Sequence, residues 1–554
     1  MDKPKTTTEK DTQLADEILN RQTRLEAKRR LYEPDMRTCA DYFCPNREES
    51  LVDTPGTSRG RKVYDGTPVS ARKIWASGME GNLLGRSIRW LNLKLTNDQL
   101  TENRDVKLWL EEKVCRMVSA LKRSNFYGQL NPLFTDGGWH GSPNMYSWEN
   151  KKTGRLVFDV ENPWNVWFEL NDAGVADVIH RKIKLTAKQA IERFGIEDVS
   201  EKIRLAVEVE KKPYAEFEFV HAIYPNEDWD PAKIDNLSKK YAVLYVEKKT
   251  KKIVLQSGQN TLSPAVWLVR RLSGRKYGIS PALDAMVEVL KGQQMSRTNT
   301  IAAHRLVEPA YNIPESMKDT VDLRPMGHNY YDDPQAVISA INSGIQLPAG
   351  IDREERVQKA IEKHFNVEFF TMLISSERQK TAYEIMQQQG EQAMLMGPQV
   401  GTFNDFLDIL IERVDDLETE AGRMPPMPAV LEDYLQEEIE IEYVGPLAQA
   451  QKKMHKLQGI REGLEAAGPI LEMSPSAADL IDFDATVDEV LDAAAFPERA
   501  RRSDDDVAAI RQQREAVRQQ QVAAEMVEQA AGAASKASKK IEPGSPLDMM
   551  AAEG

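Results

Sequence analysis

Cysteine is scarce in this chain: Cys39, Cys44 and Cys115 are the only three in 554 residues. A set so sparse and odd in number excludes a disulfide framework. The C-x4-C spacing of the first two is not by itself a zinc pattern, and three free thiols suit a reducing compartment. Long apolar runs are missing as well. No stretch of 18 apolar residues occurs, so nothing predicts a membrane span. The N-terminal "MDKPKTTTEKDTQLADE" lacks the apolar centre of a secretory signal. Basic excess is absent too: 73 Lys and Arg stand against 87 Asp and Glu, a formal net charge of -14. A module that grips DNA over its whole surface draws affinity from counterion release and needs the opposite balance. A local DNA contact, or a surface that DNA passes without sticking, stays open.

Catalytic signatures are also lacking. There is no G-x-x-x-x-G-K-[ST] phosphate cradle, no H-E-x-x-H, no G-x-G-x-x-G after a strand and no G-x-S-x-G. The seven histidines, His140, His180, His221, His304, His328, His364 and His455, are scattered, with no two at ligand spacing. "GGWHGSPNM" (137–145) is the one Gly-rich cluster beside a His, and it reads as a tight turn packing on Trp139. No catalytic, metal-ligating or cofactor-binding residue is assigned.

What is present is helix, then strand, then helix. Residues 11–45 read as one charged amphipathic helix, with Leu14, Ile18 and Leu25 near helical spacing and Pro34 ending the pattern. A loop follows over 46–70, then helix over 71–130. There Gly78, Gly81 and Gly85 signal a close approach of backbone or a bend, and Val106, Leu110, Val114 and Met117 form a stripe. From 154 the period shortens to two, with a hairpin turn at Asn171–Gly174. "TAKQAIERFG" is a short helix capped by Thr186 and stopped by Gly195. Further strands are expected at 215–225, 241–247 and 252–256.

At Ser280–Pro281 a hydroxyl cap and a first-turn proline start a new helix. Leu283, Val287 and Leu290 give it an apolar stripe that "KGQQMSRTNTIAAHR" then loses. A helix polar all round bridges solvent or faces something wet. An irregular stretch, 308–348, carries five prolines. Next comes a helix over 352–373 in which Val357, Ile361, Phe365, Phe369 and Leu373 recur every fourth residue. It ends in "SSERQK", after which Thr381 and Glu384 form a capping box for a long helix through Phe403, Phe406, Leu410, Val414 and Leu417, with a bend at Gly397–Pro398. "RMPPMP" stops it, and "EEIEIEYVGP" supplies a strand. Short helical pieces fill 446–500, and 504–540 is Ala- and Gln-rich with a weak heptad set.

The order of these pieces resembles one family, the portal or head-to-tail connector proteins of short-tailed bacteriophages (podovirus type). The likeness rests on "YDGTPVSARKIWASGMEGNLL" (64–84), "LNDAGVADVIHRKIKLTAKQAIERFG", "RRLSGRKYGISPALDAM" (270–286) and "ERQKTAYEI", and covers roughly residues 10–500. It implies an α+β portal fold, mostly helical, with a β-rich wing and long stem helices. The implied parts are a wing (1–279), a first stem helix (280–304), a clip (305–351), a second stem helix (352–373) and a tunnel loop (374–380). A long wing helix with a strand (381–445), a crown (446–500) and a C-terminal helix with a disordered tail (501–554) complete the set.

The resemblance further implies a ring of copies, commonly twelve, at one capsid vertex of the virion, assembled in the host cytoplasm. Double-stranded DNA would be pumped in and ejected through the bore. A terminase motor, tail adaptor or tail tube proteins, and major capsid and scaffolding proteins would be partners; no membrane and no cofactor are implied. A short polar break between two strong helices suits a loop aimed into a bore. Its Ser375, Ser376, Glu377, Arg378, Gln379 and Lys380 would meet phosphates without reading bases. Lys291, Arg297 and Arg305 are candidates for the bore face of the stem, and Lys318, Arg324, Tyr330 and Tyr331 for partner contacts in the clip. The stem helices would bury their apolar sides against neighbouring copies. The competing readings are another virion structural or scaffolding protein and a soluble enzyme without recognisable motifs.

Overall fold

The structure, a computed structural model, describes residues 9–45, 63–322 (save 88, 102 and 234), 324, 328–330, 337–341, 347–371, 382–434 and 439–444. Beyond these it describes only pieces of 459–526. Two helices open the chain, α1 (Glu9–Arg29) and α2 (Glu33–Phe43). The single helix expected over 11–45 is therefore two. Pro34 does not end a helix but sits in the first turn of α2, where its missing N–H costs nothing. Helix α3 (Thr67–Leu83) follows, then strand β1 (Leu91–Leu95), the short α4 (Asp98–Thr101), α5 (Arg104–Arg123) and α6 (Phe126–Trp139). β1 interrupts the stretch expected to be all helix. Its partner lies near residue 440, so no local signal announces it.

The β-rich middle comprises β2 (Asn144–Asn150), β3 (Arg155–Asp159), β4 (Val166–Leu170), β5 (Ala176–Thr186), helices α7 (Ala187–Phe194) and α8 (Glu201–Glu208), then β6 (Glu216–Pro225), β7 (Tyr241–Glu247), β8 (Lys252–Gln259) and β9 (Ala265–Val266). Strands β4 to β8 form an antiparallel meander in sequence order. The turn between β4 and β5 is the expected one: Gly174 has φ 77° and the Asn171 side chain accepts from the Val175 N–H. α7 begins with a complete capping box between Thr186 and Gln189 and ends at Gly195, φ 94°. The strand period of two splits the sheet's apolar residues between its faces. Val220, Ala222, Leu244 and Val246 meet Ala15 and Ile18 of α1. Phe219, Tyr245 and Val254 meet α7 and α8 through Ala187, Phe194 and Ile203. Strands β3, β2 and β9 form a second sheet.

Two more helices, α9 (Pro281–Asp284) and α10 (Met286–Val307), make up the first expected stem helix, with a break at Ala285. Ser280 caps α9 by accepting from the Leu283 N–H, as its sequence predicts. Between them and the next helices lie the two-residue strands β10 (Tyr311–Asn312) and β11 (Ser339–Ala340), paired antiparallel. Then come α11 (Leu347–His364) and α12 (Val367–Thr371).

The second expected stem helix is thus not continuous. Phe365 and Asn366 form a turn, with Asn366 at φ 50°. The reason lies in its spacing. At 3.6 residues per turn, a repeat of four drifts about 40° round the helix at each step. Val357, Ile361, Phe365 and Phe369 cannot all face one way on an unbroken helix. The turn redirects the last of them. Helix α13 (Ala382–Glu420) begins where the sequence signal places it, runs on through Pro398, and buries Phe403, Phe406, Leu410, Val414 and Leu417. β12 (Ile439–Tyr443) pairs with β1 from Leu91↔Tyr443 to Leu95↔Ile439. α14 (Phe483–Ala493) lies among the last described pieces.

Helices α2, α3, α5 and α6, the β-rich middle and α13 share one core. Trp75 of α3 stacks on Trp267 at 6.2 Å, and Phe403 of α13 meets Trp267 at 4.9 Å and Phe134 of α6 at 5.1 Å. The mixture of helix and strand is the α+β class read from the sequence. The loop 46–62, the tunnel-loop residues 374–380, Leu373, much of 446–500 and the tail lie outside the described residues.

Candidate functional site

Helices α10 and α11 run antiparallel against each other. Glu288 lies 3.7 Å from His364 near one end, and Asn299 donates to Glu354 at 2.7 Å towards the other. They meet at Gly292, where a side-chain carbon would stand 3.3 Å from Val357 Cγ1 and 3.7 Å from Ile361 Cδ1. The excursion 308–346 leaves from the far end of this pair, and the β10–β11 rungs, Tyr311↔Ala340 and Asn312↔Ser339, close its base.

The two helices use their apolar residues differently. Val357 and Ile361 of α11, and Phe365 in the turn that follows it, are buried by the chain itself, Phe365 against Phe43 of α2 at 5.3 Å. This corrects the expectation that this stripe waits for a neighbour. In α10 the buried arc is Val289, Gly292 and Gln293. Val287, Leu290 and Ile301, which share an arc of about 60° on the opposite side, are 74%, 45% and 44% exposed.

Nor is the polar half of α10 simply wet. The Gln293 side chain is buried; its Oε1 accepts from the Tyr64 and Asp65 N–H groups at 2.7 and 3.0 Å, and its Nε2 donates to the Asp65 carbonyl at 2.8 Å. Sequence periodicity gives no signal for this contact. The same holds for Phe370 of α12, whose ring fills the space above Gly78 of α3. Gly78 is the close approach its sequence suggests, whereas Gly81 faces open space.

Lys291, Arg297 and Arg305 are all exposed, with the Arg297 guanidinium 5.7 Å from the Tyr64 ring centroid. In the excursion, Lys318 is exposed and Arg324 is paired with Asp322 through two N–H donors at 2.9 and 3.0 Å. That guanidinium holds the Asp322 carboxyl below its ordinary range. Asn329 closes the local loop, its Oδ1 accepting from the Asp322 N–H and its Nδ2 donating to the Asp322 carbonyl. Tyr330 is 88% exposed. Tyr331 and Ser375, Ser376, Glu377, Arg378, Gln379 and Lys380 lie outside the described residues.

Burial, then Arg21 and Arg24, bring His180 down to about 3, and burial and Arg181 hold His221 well below its ordinary value. Among the described residues no group of His, Cys, Asp and Glu is placed to hold a metal, and no helix is long and apolar enough to cross a membrane.

The family described as "Bacteriophage head to tail connecting protein" matches residues 15–501. A probable portal protein of Bordetella phage BPP-1 is 23% identical over 544 residues, covering 94% of each chain. The portal protein of Salmonella phage epsilon15 is 24% identical over 485 residues, covering 85% of this chain and 86% of that one. Among solved structures, a chain from the virion of a native gene transfer agent particle covers 77% of this chain at 10% identity and a TM-score of 0.35, a likeness too slight to bear on the fold.

Proposed function

The chain belongs to the bacteriophage head-to-tail connecting proteins, and on that premise we propose how its parts serve as a conduit. It is a portal protein: a structural component of the virion at a capsid vertex, serving DNA packaging. In our reading it acts without a catalytic step. Copies form a closed ring, of about twelve as the family resemblance implies, in which one weak contact is repeated many times. Residues 280–304 and 352–373 are its stem, 305–351 its clip, 374–380 its tunnel loop and 446–500 its crown. The observation that carries this reading is the uncovered stripe Val287, Leu290 and Ile301, which a neighbouring copy buries.

Lys291, Arg297 and Arg305 then flank the bore, and Arg378 and Lys380 touch passing phosphates. Lys318, Arg324, Tyr330 and Tyr331 meet the packaging motor and later the tail adaptor, with DNA leaving by the same bore. Electron microscopy of purified protein tests the ring. Wild type gives closed rings and Val287→Asp with Ile301→Asp gives monomers; rings from that double variant would remove the stem interface. Arg378→Ala with Lys380→Ala leaves the ring intact and impairs DNA packaging or retention. Full packaging by that variant refutes the tunnel-loop role.

A further inference from the structure

The stem hairpin is tied to the wing by a polar joint as well as by the apolar packing of Val357, Ile361 and Phe365. Gln293 of α10 and Gln358 of α11 both reach the peptide segment that leads into α3. Gln293 pairs with it as a strand would, accepting from two N–H groups and donating to the Asp65 carbonyl. Gln358 Nε2 donates to Asp65 Oδ1 at 3.3 Å, while the same oxygen accepts from the Thr67 N–H at 3.0 Å and the Thr67 hydroxyl at 2.7 Å. Ser296, one turn on from Gln293, donates to the Tyr64 carbonyl at 3.3 Å. Asp65 and Gln293 are 6% and 5% exposed, so these bonds are sheltered from competing water. Asp65 Oδ2 is buried without a hydrogen-bond partner, beside Gly292, where any added side-chain carbon would stand 3.6 Å from it.

We infer that Gln293 is a positioning residue of the conduit. It locks the start of α3 into the crossing of the two stem helices, so that wing and stem turn as one body when DNA loads the bore. The functional half of this statement rests on the portal reading above; the mechanical half does not. A buried glutamine with three bonds to one peptide is specific in a way that an apolar contact is not. Its loss leaves two N–H groups and one carbonyl buried and unpaired, each of which then favours any rearrangement that lets water in.

The test uses the full-length protein with Gln293→Met, which keeps length and volume but no donor or acceptor, and with Gln294→Met on the exposed side as control. Hydrogen exchange at the Tyr64 and Asp65 amides is expected to accelerate at least tenfold in Gln293→Met and not in the control. Dilute spin labels on the exposed Cys115 of α5 and on a Lys359→Cys variant of α11 then report the wing-to-stem distance. Its distribution is expected to broaden in Gln293→Met alone. Gln293→Glu, which keeps the acceptor, is expected to recover part of the exchange protection. Unchanged exchange and an unchanged distance distribution in Gln293→Met overturn the joint itself. Broadening with wild-type DNA content in assembled particles overturns its role in the conduit. Wild-type protein that forms no ring overturns the portal reading while the exchange and distance measurements still judge the joint.

Discussion

Alanine placed at two glycines of one helix should act in opposite directions. In α3, a side-chain carbon on Gly78 would stand 2.2 Å from Phe370 Cδ1 and 2.3 Å from its Cγ, while one on Gly81 meets nothing within 4 Å. Carbon atoms pack best at about 3.5–4.0 Å, so the Phe370 ring must retreat by more than about 1 Å. Gly→Ala in a helix interior gains about 1 kcal/mol by propensity. Overpacking costs about 1–3 kcal/mol, and lifting a partly buried Phe forfeits about 1 kcal/mol more, half of what full burial supplies. Gly78→Ala should therefore be net destabilising by about 1–3 kcal/mol, and Gly81→Ala stabilising by about 0.5–1 kcal/mol. Thermal and urea melts of the two variants measure this. Gly78→Ala combined with Phe370→Leu should recover most of the loss, because the shorter side chain vacates the space. Equal stabilisation by both alanines would show that Phe370 does not occupy the groove and that α12 is not seated on α3.

Thiol labelling in native buffer should modify Cys115 and spare Cys39 and Cys44, which are buried; burial also pushes the Cys39 thiol up to about 12. Rapid labelling of all three without denaturant would contradict the packing of α2. Glu412 on α13 has Asp416, Asp408 and Asp415 around it and Lys240 opposing, and its carboxyl is held above the ordinary range, chiefly by desolvation where it packs on the helix surface. A raised folded-state value means that stability from this group is greatest in acid and is lost as pH rises through it. Glu412→Gln should thus melt higher than wild type at pH 7, with the difference closing towards pH 4; a lower melting point at pH 7 refutes the sign. Ile361→Ala, at a fully buried position between α10, α11 and α3, should cost about 2–5 kcal/mol in a urea titration, whereas a cost below 1 kcal/mol would place Ile361 outside the core.

What the sequence announced was local. Thr186 and Gln189 lie three residues apart and close a capping box wherever the rest of the chain goes; Ser280 and Pro281 start a helix for the same reason. β1 was hidden because a five-residue strand between helices is decided by β12, nearly 350 residues away. Asn366 was hidden because a repeat of four looks like a helix stripe until its rotation is followed.

Helices α10 and α11 show a different limit. Val287 and Leu290 in α10 and Val357 and Ile361 in α11 are equivalent as sequence, apolar residues at helical spacing. The chain covers the second pair and leaves the first bare, while it takes the polar Gln293 inside. Periodicity states that a face will be buried, not by what. In α10 Val289, Gly292 and one polar residue, Gln293, turn towards the chain, while Val287, Leu290 and Ile301 turn away among exposed polar residues, the kind of apolar stripe that a partner covers. In a closed ring each copy supplies that cover to the next, and no stripe is left over. The bare stripe of α10 is therefore the feature of the single chain that argues most directly for a neighbour, and substituting Val287 and Ile301 tests it through the oligomeric state alone.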